Sequence, residues 1–471
     1  MENIIENIAK TICSMVWGLP LITMLVCVGV YFSFKLNFLQ IRRLGEAFKY
    51  VIASNKKQRH KNVQNVVGSS MQNSASATLI GDISSFASLC TALSATLGTG
   101  NIVGIAVALS IGGPGTLFWM IVSSFFSLST KYCEGFLAVK YRKIGSDGKI
   151  AGGPMYYIEK SFKNRRLAKF LATCFAIFGA GVALIGIGTL AQTNSIAAAV
   201  SSFGIPVSTV SISLGVIVAL VTFGGIHRIG DVAEKIVPFM TILYLGAAVI
   251  LLAMHANAIF PAIKLIYSDA FSPRSIVGGT LGSAIVHSLQ IGLSRGIFCH
   301  EAGLGSAAIA SAAAKTKSPD EQGLICMVGA FLSIIVCSIT GLVLVTTNVL
   351  GAPHAIPETL LTAQAFENGL RIAHFGTGIV NVSIVFFAFT TIIGWNYYGE
   401  KCVQYVLGTR AIMLYRMLFL LFVFVGPFLQ IKTAFIIADI VIGLMAIPNV
   451  ISLIALRKEI RRENIGIKQK K

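Results

Sequence analysis

Charged residues are scarce in this chain of 471 residues. Asp, Glu, Lys and Arg together account for 12% of it, against about 25% in a typical soluble domain, while hydrophobic residues account for 55%. This shortage of charge excludes an ordinary soluble domain and predicts an integral membrane protein. The sequence also lacks the alternating apolar and polar residues of a membrane β-barrel. The predicted fold class is therefore an all-α membrane protein.

Two further absences narrow the class. The nine cysteines have neither Cys-x-x-Cys nor zinc-finger spacing, so we interpret them as small buried hydrophobic residues in a protein without structural disulfides. The first ten residues are acidic, with Glu2 and Glu6, where a signal peptide would be basic. We therefore expect no detachable signal peptide. No motif calls for a cofactor.

Long apolar runs, in contrast, are frequent. About 20 apolar residues cross a bilayer, and eleven segments of this chain predict transmembrane helices, several of them long enough to tilt or break. The segments are 13–34, 85–111, 114–139, 167–200, 206–224, 233–255, 276–312, 322–349, 374–398, 411–427 and 431–456.

An odd number of spans places the two ends of the chain on opposite sides of the membrane. If the first helix is peripheral, the other ten divide into two sets of five, and because five is odd the second set is inverted. The predicted organisation is an N-terminal helix (1–34), a basic cytoplasmic loop (35–84), a first five-helix repeat (85–255), an extracellular connection (256–275), a second five-helix repeat (276–456) and a basic cytoplasmic tail (457–471).

The basic residues predict the orientation. Lys and Arg number 38 against 19 Asp and Glu, which gives a net charge of +19. All but a few of the basic residues lie in segments that alternate to one side of the membrane, and Lys131 and Arg295 lie well within spans. The positive-inside rule then places the N-terminus outside and the C-terminus in the cytoplasm. Because the positive charge follows these loops, we expect a lipid bilayer and no nucleic acid as its partner.

The second span is interrupted in its middle by Gly98-Thr99-Gly100-Asn101. Glycine costs roughly 1 kcal/mol per helical position relative to alanine, and non-helical backbone at membrane depth is tolerated only where protein buries it or it lines a cavity. The free N–H groups of the half-helix that begins near Asn101 predict a carboxylate site, and the carbonyls before it suit a small cation. A GxxxG packing face of Gly100 and Gly104 is the alternative.

The seventh span contains a second interruption, predicted at 295–306, with a cation and an anion in an apolar neighbourhood. Two roles are open for Glu301: an ion pair with Arg295, or a cap on backbone N–H groups. His300 is a candidate proton relay, with a satisfied buried histidine as the alternative. We treat His300 and Glu301 as candidate coupling residues. Broken helices at corresponding positions of two inverted halves indicate the substrate site of a transporter.

Two other spans carry polar residues that fit such a site. Gln192 begins a run of four polar residues, for which hydrogen bonding between helices and substrate contact are both open. Thr391 shares a helix face with Trp395, which would wall off a small pocket. The hydroxyls of Thr390 and Thr391, together with a broken-helix carbonyl, are oxygen ligands of the kind that bind a sodium ion.

Several motifs, in this order and spacing, resemble the alanine/glycine:cation symporters of bacteria and archaea, and the resemblance runs from Trp17 to Asn449. It implies a leucine-transporter type of fold, with five plus five inverted helices and one extra N-terminal helix, in a prokaryotic cell membrane. The motifs are Gly98-Thr99-Gly100-Asn101, Gly112-Gly113-Pro114-Gly115, Gly152-Gly153-Pro154-Met155-Tyr156, Gln192-Thr193-Asn194-Ser195, Glu301-Ala302-Gly303-Leu304-Gly305-Ser306 and Tyr397-Tyr398-Gly399-Glu400.

The resemblance also implies roles for single residues. The residues that it places around the substrate are Gly98, Thr99, Gly100, Asn101, Gln192, Phe298, Thr391 and Trp395. The residues that we expect around a sodium ion are Asn101, Thr390 and Thr391. The chain departs from the family where His300 replaces the usual Asn and where Asn396 replaces a frequent Ser.

The predicted function is sodium-driven uptake of a small neutral amino acid, alanine or glycine, by alternating access. Proton coupling and a larger neutral substrate such as glutamine are the alternatives within this class. A channel would need an open polar path with rings of charge, and the isolated charges within spans do not supply one. An enzyme would need a catalytic or metal cluster on facing spans, to which His300 and Glu301 are the nearest approach, and we predict no enzymatic activity.

Overall fold

The computed structural model describes residues 2–67, 80–145, 148–271, 281–351, 360–372, 374–429 and 432–461. Helices make up nearly all of these ranges, so the fold class is all-α, as predicted. Parts of the predicted loop 35–84, connection 256–275, second repeat 276–456 and tail 457–471 lie outside the described residues.

Twenty α-helices follow one another along the described chain. They are α1 (Glu2–Val16), α2 (Leu19–Lys35), α3 (Leu39–Arg42), α4 (Leu44–Val67), α5 (Ser85–Thr96), α6 (Val103–Gly112), α7 (Gly115–Lys140), α8 (Pro154–Ser161), α9 (Arg165–Ile185), α10 (Leu190–Ser201), α11 (Val207–Thr222), α12 (Gly225–Met254), α13 (Ala256–Phe271), α14 (Leu281–His300), α15 (Ser306–Ala312), α16 (Pro319–Thr346), α17 (Leu361–Leu370), α18 (Phe375–Leu407), α19 (Ile412–Val425) and α20 (Lys432–Ala455).

Short 3₁₀ helices and strands complete the described structure. The 3₁₀ helices are Thr99–Asn101, Val349–Gly351, Thr409–Ala411 and Gly426–Phe428. The strands are β1 (Ile83–Ser84), β2 (Lys143–Ile144), β3 (Ile150–Ala151) and β4 (Ala314–Lys315), with β1 parallel to β4 and β2 antiparallel to β3.

Helices occupy the described part of every predicted span. Seven helical stretches in the described ranges are long and apolar enough to cross a membrane, which gives a multi-pass membrane protein. They are Glu6–Lys35, Arg165–Ser201, Gly225–Met254, Pro319–Thr346, Phe375–Leu407, Thr409–Phe428 and Ile436–Ala455, and the shorter apolar helices are α5, α6 and α11.

Both predicted interruptions are present, and the second is shorter than expected. α14 remains helical through Arg295 and ends at His300, so only 301–305 separate it from α15. Gly296, inside the range where a break was predicted, is helical and faces α7, where an added Cβ would lie 2.7 Å from Ser123 Oγ. That glycine permits close packing of two helices and does not break one. A third interruption, at 186–189 between α9 and α10, was not predicted.

A lysine on α7 satisfies the end of α14. Lys131 is buried, and its Nζ donates to the carbonyl oxygens of His300 at 2.9 Å and Glu301 at 3.2 Å. The last carbonyls of a helix lack helical partners and carry partial negative charge. A buried ammonium group at this position therefore satisfies the end of α14 both as a donor and as a charge.

A carboxylate one turn further along α7 satisfies the start of α15. Glu134 is fully buried, and its Oε1 accepts from the backbone N–H of Gly303 at 2.9 Å and of Gly305 at 3.0 Å, and from Asn449 Nδ2 at 2.7 Å. Free N–H groups at a helix start attract negative charge. Lys131 and Glu134 also attract each other, so α7 holds both sides of the interruption with an opposite charge on each.

The two charges in the second interruption do not form the pair considered from the sequence. Arg295 lies over the Phe298 ring, 5.5 Å from its centroid, and its charge interacts with Asp439. Glu301 instead accepts a hydrogen bond from Ser306. The role of capping backbone N–H groups, considered for Glu301, belongs to Glu134.

A short parallel pair of strands joins the half-helix of the first interruption, α5, to the half-helix of the second, α15. β1 leads into α5, and β4 follows α15, with Ile83 opposite Ala314 in the bridge. Arg142, between α7 and α8, donates to the carbonyls of Ala312 at 2.9 Å and Ala314 at 2.6 Å. The half-helices α5 and α15 are therefore held together at the ends that lie away from their interruptions.

Arg43 holds the segment before α5 against the start of α16. Its guanidinium donates to Asp320 at 2.8 and 2.7 Å and to Glu46 at 2.8 and 3.1 Å. Burial and the neighbouring Glu46 raise the pKa of Tyr50 to about 12, so that phenol stays protonated and donates to Glu46 at 3.1 Å. Such bidentate arginine pairs fix geometry as well as charge.

The Glu134 contacts predict a stability difference. Glu134→Ala leaves three buried N–H donors without their acceptor, and we expect a loss of about 3 kcal/mol, typical of removing one partner from a buried charged network. Glu134→Gln retains an acceptor oxygen and is expected to lose less. The control is Glu6→Ala, which removes a surface pair with Lys10 (2.7 Å) and should cost under about 1 kcal/mol. Thermal unfolding in detergent measures these differences; equal stability of the two alanine variants would contradict the assigned role.

Candidate functional site

At the first interruption, two polar side chains pack directly against the main chain of a glycine. α5 ends at Thr96, a 3₁₀ turn covers Thr99–Asn101, and Gly98 between them is extended, with φ −115°. An added Cβ at Gly98 would lie 2.9 Å from Thr391 Oγ1 and 3.4 Å from Gln192 Nε2. Glycine is needed here because two polar side chains approach the main chain that closely.

The Thr391 hydroxyl lies among backbone carbonyl oxygens. Its Oγ1 is 3.0 Å from Ser94 O, 3.5 Å from Leu97 O and 2.8 Å from Phe387 O. A hydroxyl has a single proton, so it can satisfy only one of these three acceptors. The carbonyls of Ser94 and Leu97 lie where α5 ends and its helical partners run out, so buried oxygen atoms gather around this hydroxyl, which is the chemistry that suits a small hard cation.

Thr390 lies next to this group of carbonyl oxygens but contacts only one of them. Its Oγ1 donates to Phe387 O at 3.0 Å and lies 3.6 Å from Met240 Sδ. Thr390 and Thr391 are consecutive on α18 and therefore project about 100° apart. They share the Phe387 carbonyl, and Thr391 is the one that also reaches the carbonyls of α5.

Gln192 and Thr99 meet beside an open space. Thr99 Oγ1 donates to Gln192 Oε1 at 3.2 Å. Gly100 is exposed, and no atom of the described residues lies within 4 Å of a Cβ added at Gly100 or at Gly104. Within the described part of the chain, the two glycines therefore do not form a helix-packing face. They border open space near Gln192.

Asn101 joins the two interrupted helices. Its Nδ2 donates to Cys299 O at 3.3 Å on α14 and to Ser333 Oγ at 2.8 Å on α16, and its Oδ1 accepts from the N–H of Gly98 at 3.3 Å. The Cys337 sulfur lies 3.2 Å from the same Nδ2. Because its oxygen and its nitrogen both form hydrogen bonds with protein groups, Asn101 links the first interruption to the end of α14.

A second contact connects the end of α5 to the interruption between α14 and α15. The Glu301 carboxyl, at the interruption of α14–α15, lies close enough to Thr96 at the end of α5 for the two side chains to interact. Together with Asn101, this contact makes the two interruptions one connected structure.

His300 and Asn396, the two positions that we expected to depart from the family's pattern, are both buried. His300 Nδ1 accepts from the N–H of Ala302 at 3.0 Å, so the neutral ring carries its proton on Nε2, and Nε2 has no partner among the described residues. Both amide atoms of Asn396 also lack a partner there. Unpaired buried polar atoms are uncommon, so these two positions have capacity for a hydrogen bond that the described protein groups do not supply.

The two aromatic residues expected at the pocket are in different surroundings. Trp395 is buried on α18 one turn from Thr391, and it packs against Tyr398 with ring centroids 5.4 Å apart. Gly188, in the third interruption, gives it room, since an added Cβ would lie 2.7 Å from Trp395 Cβ. Phe298 packs against Trp17 of the N-terminal helices at 4.4 Å between centroids.

Several contributors were missed from the sequence. The cluster around Thr391 uses the backbone carbonyls of Ser94, Leu97 and Phe387, and a carbonyl has no signature in a sequence. Ser333 was also missed, although a serine within an apolar span was a usable signal. Of the residues predicted from the sequence, the structure brings together Gly98, Thr99, Gly100, Asn101, Gln192 and Thr391.

No group of three or more His, Cys, Asp or Glu side chains is placed to hold a metal ion in the part of the chain that the structure describes. Oxygen atoms of hydroxyls and backbone carbonyls make up the cluster around Thr391 instead. Such neutral ligands favour a weakly held monovalent cation over a transition metal.

Comparison with known proteins agrees with this architecture. The model of the sodium:alanine symporter family matches residues 1–466. An uncharacterized transporter of Haemophilus influenzae is 45% identical over 461 residues, 98% of this chain and 95% of the relative. The sodium/alanine symporter AgcS of Methanococcus maripaludis is 42% identical over 454 residues, 96% and 94% of the two chains. The probable sodium/glutamine symporter GlnT of Bacillus subtilis is 30% identical over 461 residues, 97% and 90%. The chain belongs to the sodium:alanine symporter family.

Proposed function

We propose that the protein takes up a small neutral amino acid, alanine or glycine, by symport with sodium. The observation that carries this proposal is the cluster of carbonyl oxygens around Thr391, which lies beside Gly98 and the open space at Gly100. A cation cluster next to an enterable space at a helix interruption is how a transporter couples an ion to a substrate. The relative from Methanococcus maripaludis, named for sodium and alanine, supports the same substrates.

The sodium ion is proposed to bind at Thr391, between α5 and α18. Its ligands would be Thr391 Oγ1 and the carbonyls of Ser94, Leu97 and Phe387, with Thr390 supporting the last of these. The ion would satisfy acceptors that one hydroxyl proton leaves over, and it would hold α5 against α18. This assignment favours Thr391 over Asn101 as the ion ligand, because the Asn101 oxygen already accepts from Gly98.

The substrate is proposed to bind beside the same interruption. The N–H groups at the start of the Thr99–Asn101 turn lack helical partners, and together with the Gln192 amide they would receive the substrate carboxylate. Trp395, one turn from Thr391, would limit the side-chain pocket to a methyl group or hydrogen. Phe298 packs on Trp17, so the wall of the pocket is assigned to Trp395.

Alternating access is proposed to move the two interrupted helices together. In this proposal ten helices form two inverted sets of five, α5–α6 and α14–α15 begin the two sets, and α1–α2 stands outside them. Asn101 and the β1–β4 bridge join the interrupted helices at two levels. Sodium bound at Thr391 would stabilise the conformation that binds substrate, and release of both on the cytoplasmic side would follow from separation of α5 from α18.

Proton coupling is a second candidate, because the buried His300 has an unpaired Nε2 among the described residues and Glu301 lies beside it. The Bacillus subtilis relative YrbD, named as a putative sodium/proton-dependent alanine carrier, is 32% identical over 464 residues. In this alternative a proton carried at His300 or Glu301 would replace the sodium ion.

The sodium site predicts a change in ion dependence. Thr391→Val keeps the shape of the side chain and removes its oxygen, so the sodium concentration for half-maximal alanine uptake should rise at least about tenfold, equivalent to 1.4 kcal/mol. Thr222→Val is the matched control, because Thr222 is a buried helical threonine bonded to the Val218 carbonyl of its own helix at 2.8 Å. Proteoliposome uptake against sodium concentration measures both. Uptake that follows a proton gradient without sodium would contradict this site and favour the His300 alternative.

The substrate site predicts a change in affinity. Gln192→Ala removes a proposed carboxylate donor and should raise the KM for alanine about tenfold, as for loss of a hydrogen bond to a charged group. Asn194→Ala on the same helix is the control, because the Asn194 amide donates to Leu429 O at 2.8 Å and serves packing. Competition by unlabelled amino acids in the same vesicles identifies the substrate. Strong competition by glutamine would contradict the small pocket at Trp395.

The proposed orientation can be tested independently of transport. A green fluorescent protein fused to the C-terminus should fluoresce, since it folds in the cytoplasm, and an alkaline phosphatase fused there should be inactive. The N-terminus should give the opposite pattern, because the positive-inside rule places it outside. An active C-terminal phosphatase would overturn the orientation without affecting the assignment of the sites.

A further inference from the structure

A cluster of basic residues lies where the short helix α8 ends and α9 begins. Within residues 160–169 every charged residue is basic, and there is no Asp or Glu. All of these basic side chains are exposed, and none of them has an ion pair among the described residues. The members of this basic cluster are Lys160, Lys163, Arg165, Arg166 and Lys169. This end of α9 therefore presents positive charge that no described protein group neutralises.

The acidic residue next to the cluster along the chain, Glu159, is already engaged elsewhere. Its Oε1 accepts from the Tyr405 hydroxyl at 2.6 Å, and its Oε2 lies 3.7 Å from Lys143 Nζ. Arg416, by comparison, is paired with Glu400 at 2.8 Å. The basic cluster differs from such pairs because its charge is left over, and this leftover charge attracts an anionic partner from outside the chain.

The start of α9 is not itself free to bind an anion. Asn164 Oδ1 accepts from the N–H of Arg166 at 3.0 Å and of Leu167 at 3.3 Å, and the Asn164 carbonyl accepts from the N–H of Ala168 at 3.0 Å. These contacts satisfy most of the backbone donors that begin a helix. The groups that remain for a partner are therefore the basic side chains, which donate strong hydrogen bonds to phosphate oxygens.

An exposed apolar surface continues from the basic cluster along α9. This helix begins the stretch Arg165–Ser201, which is long and apolar enough to cross a membrane. Phe170 and Ile177 are 64% and 54% exposed and share a helix face with Arg166. Positive charge at the end of this face and apolar side chains further along it match the headgroup and the acyl chains of a phospholipid. A free phosphate ion would contact only the charged part.

We propose that the junction of α8 and α9 binds an anionic phospholipid. The headgroup phosphate lies among Arg165, Arg166 and Lys169, and the acyl chains lie along Phe170 and Ile177. Basic residues at the end of a membrane span attract anionic headgroups, and this attraction falls with ionic strength. Neither the binding nor its effect on stability depends on the proposed transport function.

The bound lipid lies close to the second interruption. Pro154, which begins α8, packs beside the start of α15, since an added Cβ at Gly305 would lie 2.7 Å from Pro154 Cγ. On the same short helix the Tyr157 hydroxyl donates to Asn449 Oδ1, and Asn449 Nδ2 donates to Glu134 at 2.7 Å. A lipid that holds α8 against α9 therefore also stabilises the contacts around the second interruption.

The test uses the full-length purified protein in a neutral detergent. Native mass spectrometry measures lipid binding during titration with phosphatidylglycerol, or with phosphatidylcholine that has the same acyl chains. Thermal unfolding measures the stabilisation, because a ligand of the folded state raises the unfolding temperature. We expect phosphatidylglycerol to bind and to raise this temperature, and phosphatidylcholine and inorganic phosphate to do neither. High salt should reduce the effect of phosphatidylglycerol through screening.

A triple variant tests the assigned residues. Arg165→Gln, Arg166→Gln and Lys169→Gln together remove the charges assigned to the phosphate and keep side chains that are polar and exposed. Binding of phosphatidylglycerol should weaken at least about tenfold, since basic residues next to a span supply the attraction for an anionic headgroup. Elution of the variant as a single symmetric peak in size-exclusion chromatography shows that it is folded.

A matched control removes the same amount of charge elsewhere. Its substitutions are at exposed basic residues of α12 and of the 3₁₀ helix before α19, and they are Arg228→Gln, Lys235→Gln and Arg410→Gln. This control variant should bind phosphatidylglycerol as the wild-type protein does. If the triple variant does not fold, Lys169→Gln is compared with Lys235→Gln by the same measurements.

Three results would overturn the proposal. One is equal affinity of the site variant and the control variant for phosphatidylglycerol, which would indicate a general effect of net charge. Another is equal binding of phosphatidylglycerol and phosphatidylcholine by the wild-type protein. The third is equal stabilisation by inorganic phosphate, which would indicate an anion site that does not recognise a lipid.

Discussion

An interrupted helix inside a membrane leaves N–H and C=O groups that no water can satisfy, and each unpaired group costs several kcal/mol. The central structure of this protein follows from that constraint. At the second interruption Lys131 bonds the His300 carbonyl that ends α14, and Glu134 bonds the N–H groups of Gly303 and Gly305 just before α15. Both charges come from consecutive turns of α7, and because each is matched to a helix end, two ionised side chains are tolerated where isolated ones would be costly.

The first interruption is satisfied differently, and the difference has a functional meaning. The carbonyls of Ser94 and Leu97 at the end of α5, together with the Phe387 carbonyl of α18, lie around the Thr391 hydroxyl, and Gly100 and Gly104 border open space in the described structure. The second interruption is thus held by protein side chains of opposite charge, and the first is where we propose that an ion and a substrate bind. Asn101 connects the two. A change of occupancy at the first interruption can therefore reach the rigid second one through a single side chain.

The predictions that depended on local composition were accurate. The break at 98–101 was located because two glycines, a threonine and an asparagine in the middle of an apolar run disfavour a continuous helix, and the structure interrupts the helix there. The second break was predicted to begin at Arg295, whereas α14 continues to His300 and passes through Gly296. Gly296 faces α7, and a glycine used for packing cannot be told from one used for bending until its neighbour is known.

The partners of polar residues could not be predicted from spacing along the chain. Arg295 and Glu301 are close in sequence, yet Arg295 lies over Phe298 and interacts with Asp439, and Glu301 accepts a hydrogen bond from Ser306. Gln192 and Thr99 are 93 residues apart and are hydrogen-bonded. Contacts between different helices depend on how those helices pack, and hydropathy describes only each helix's preference for the membrane.

By itself the sequence determined that this is an all-α membrane protein and that one helix breaks at Gly98, because hydropathy and glycine content are properties of single segments. Only the tertiary structure decided what satisfies each break. The Thr391 cluster is built from backbone carbonyls of two helices, and the charges at α14–α15 come from α7. The physical reason is that an unpaired backbone group takes whichever partner packing brings within hydrogen-bonding distance, and that partner can lie anywhere along the chain.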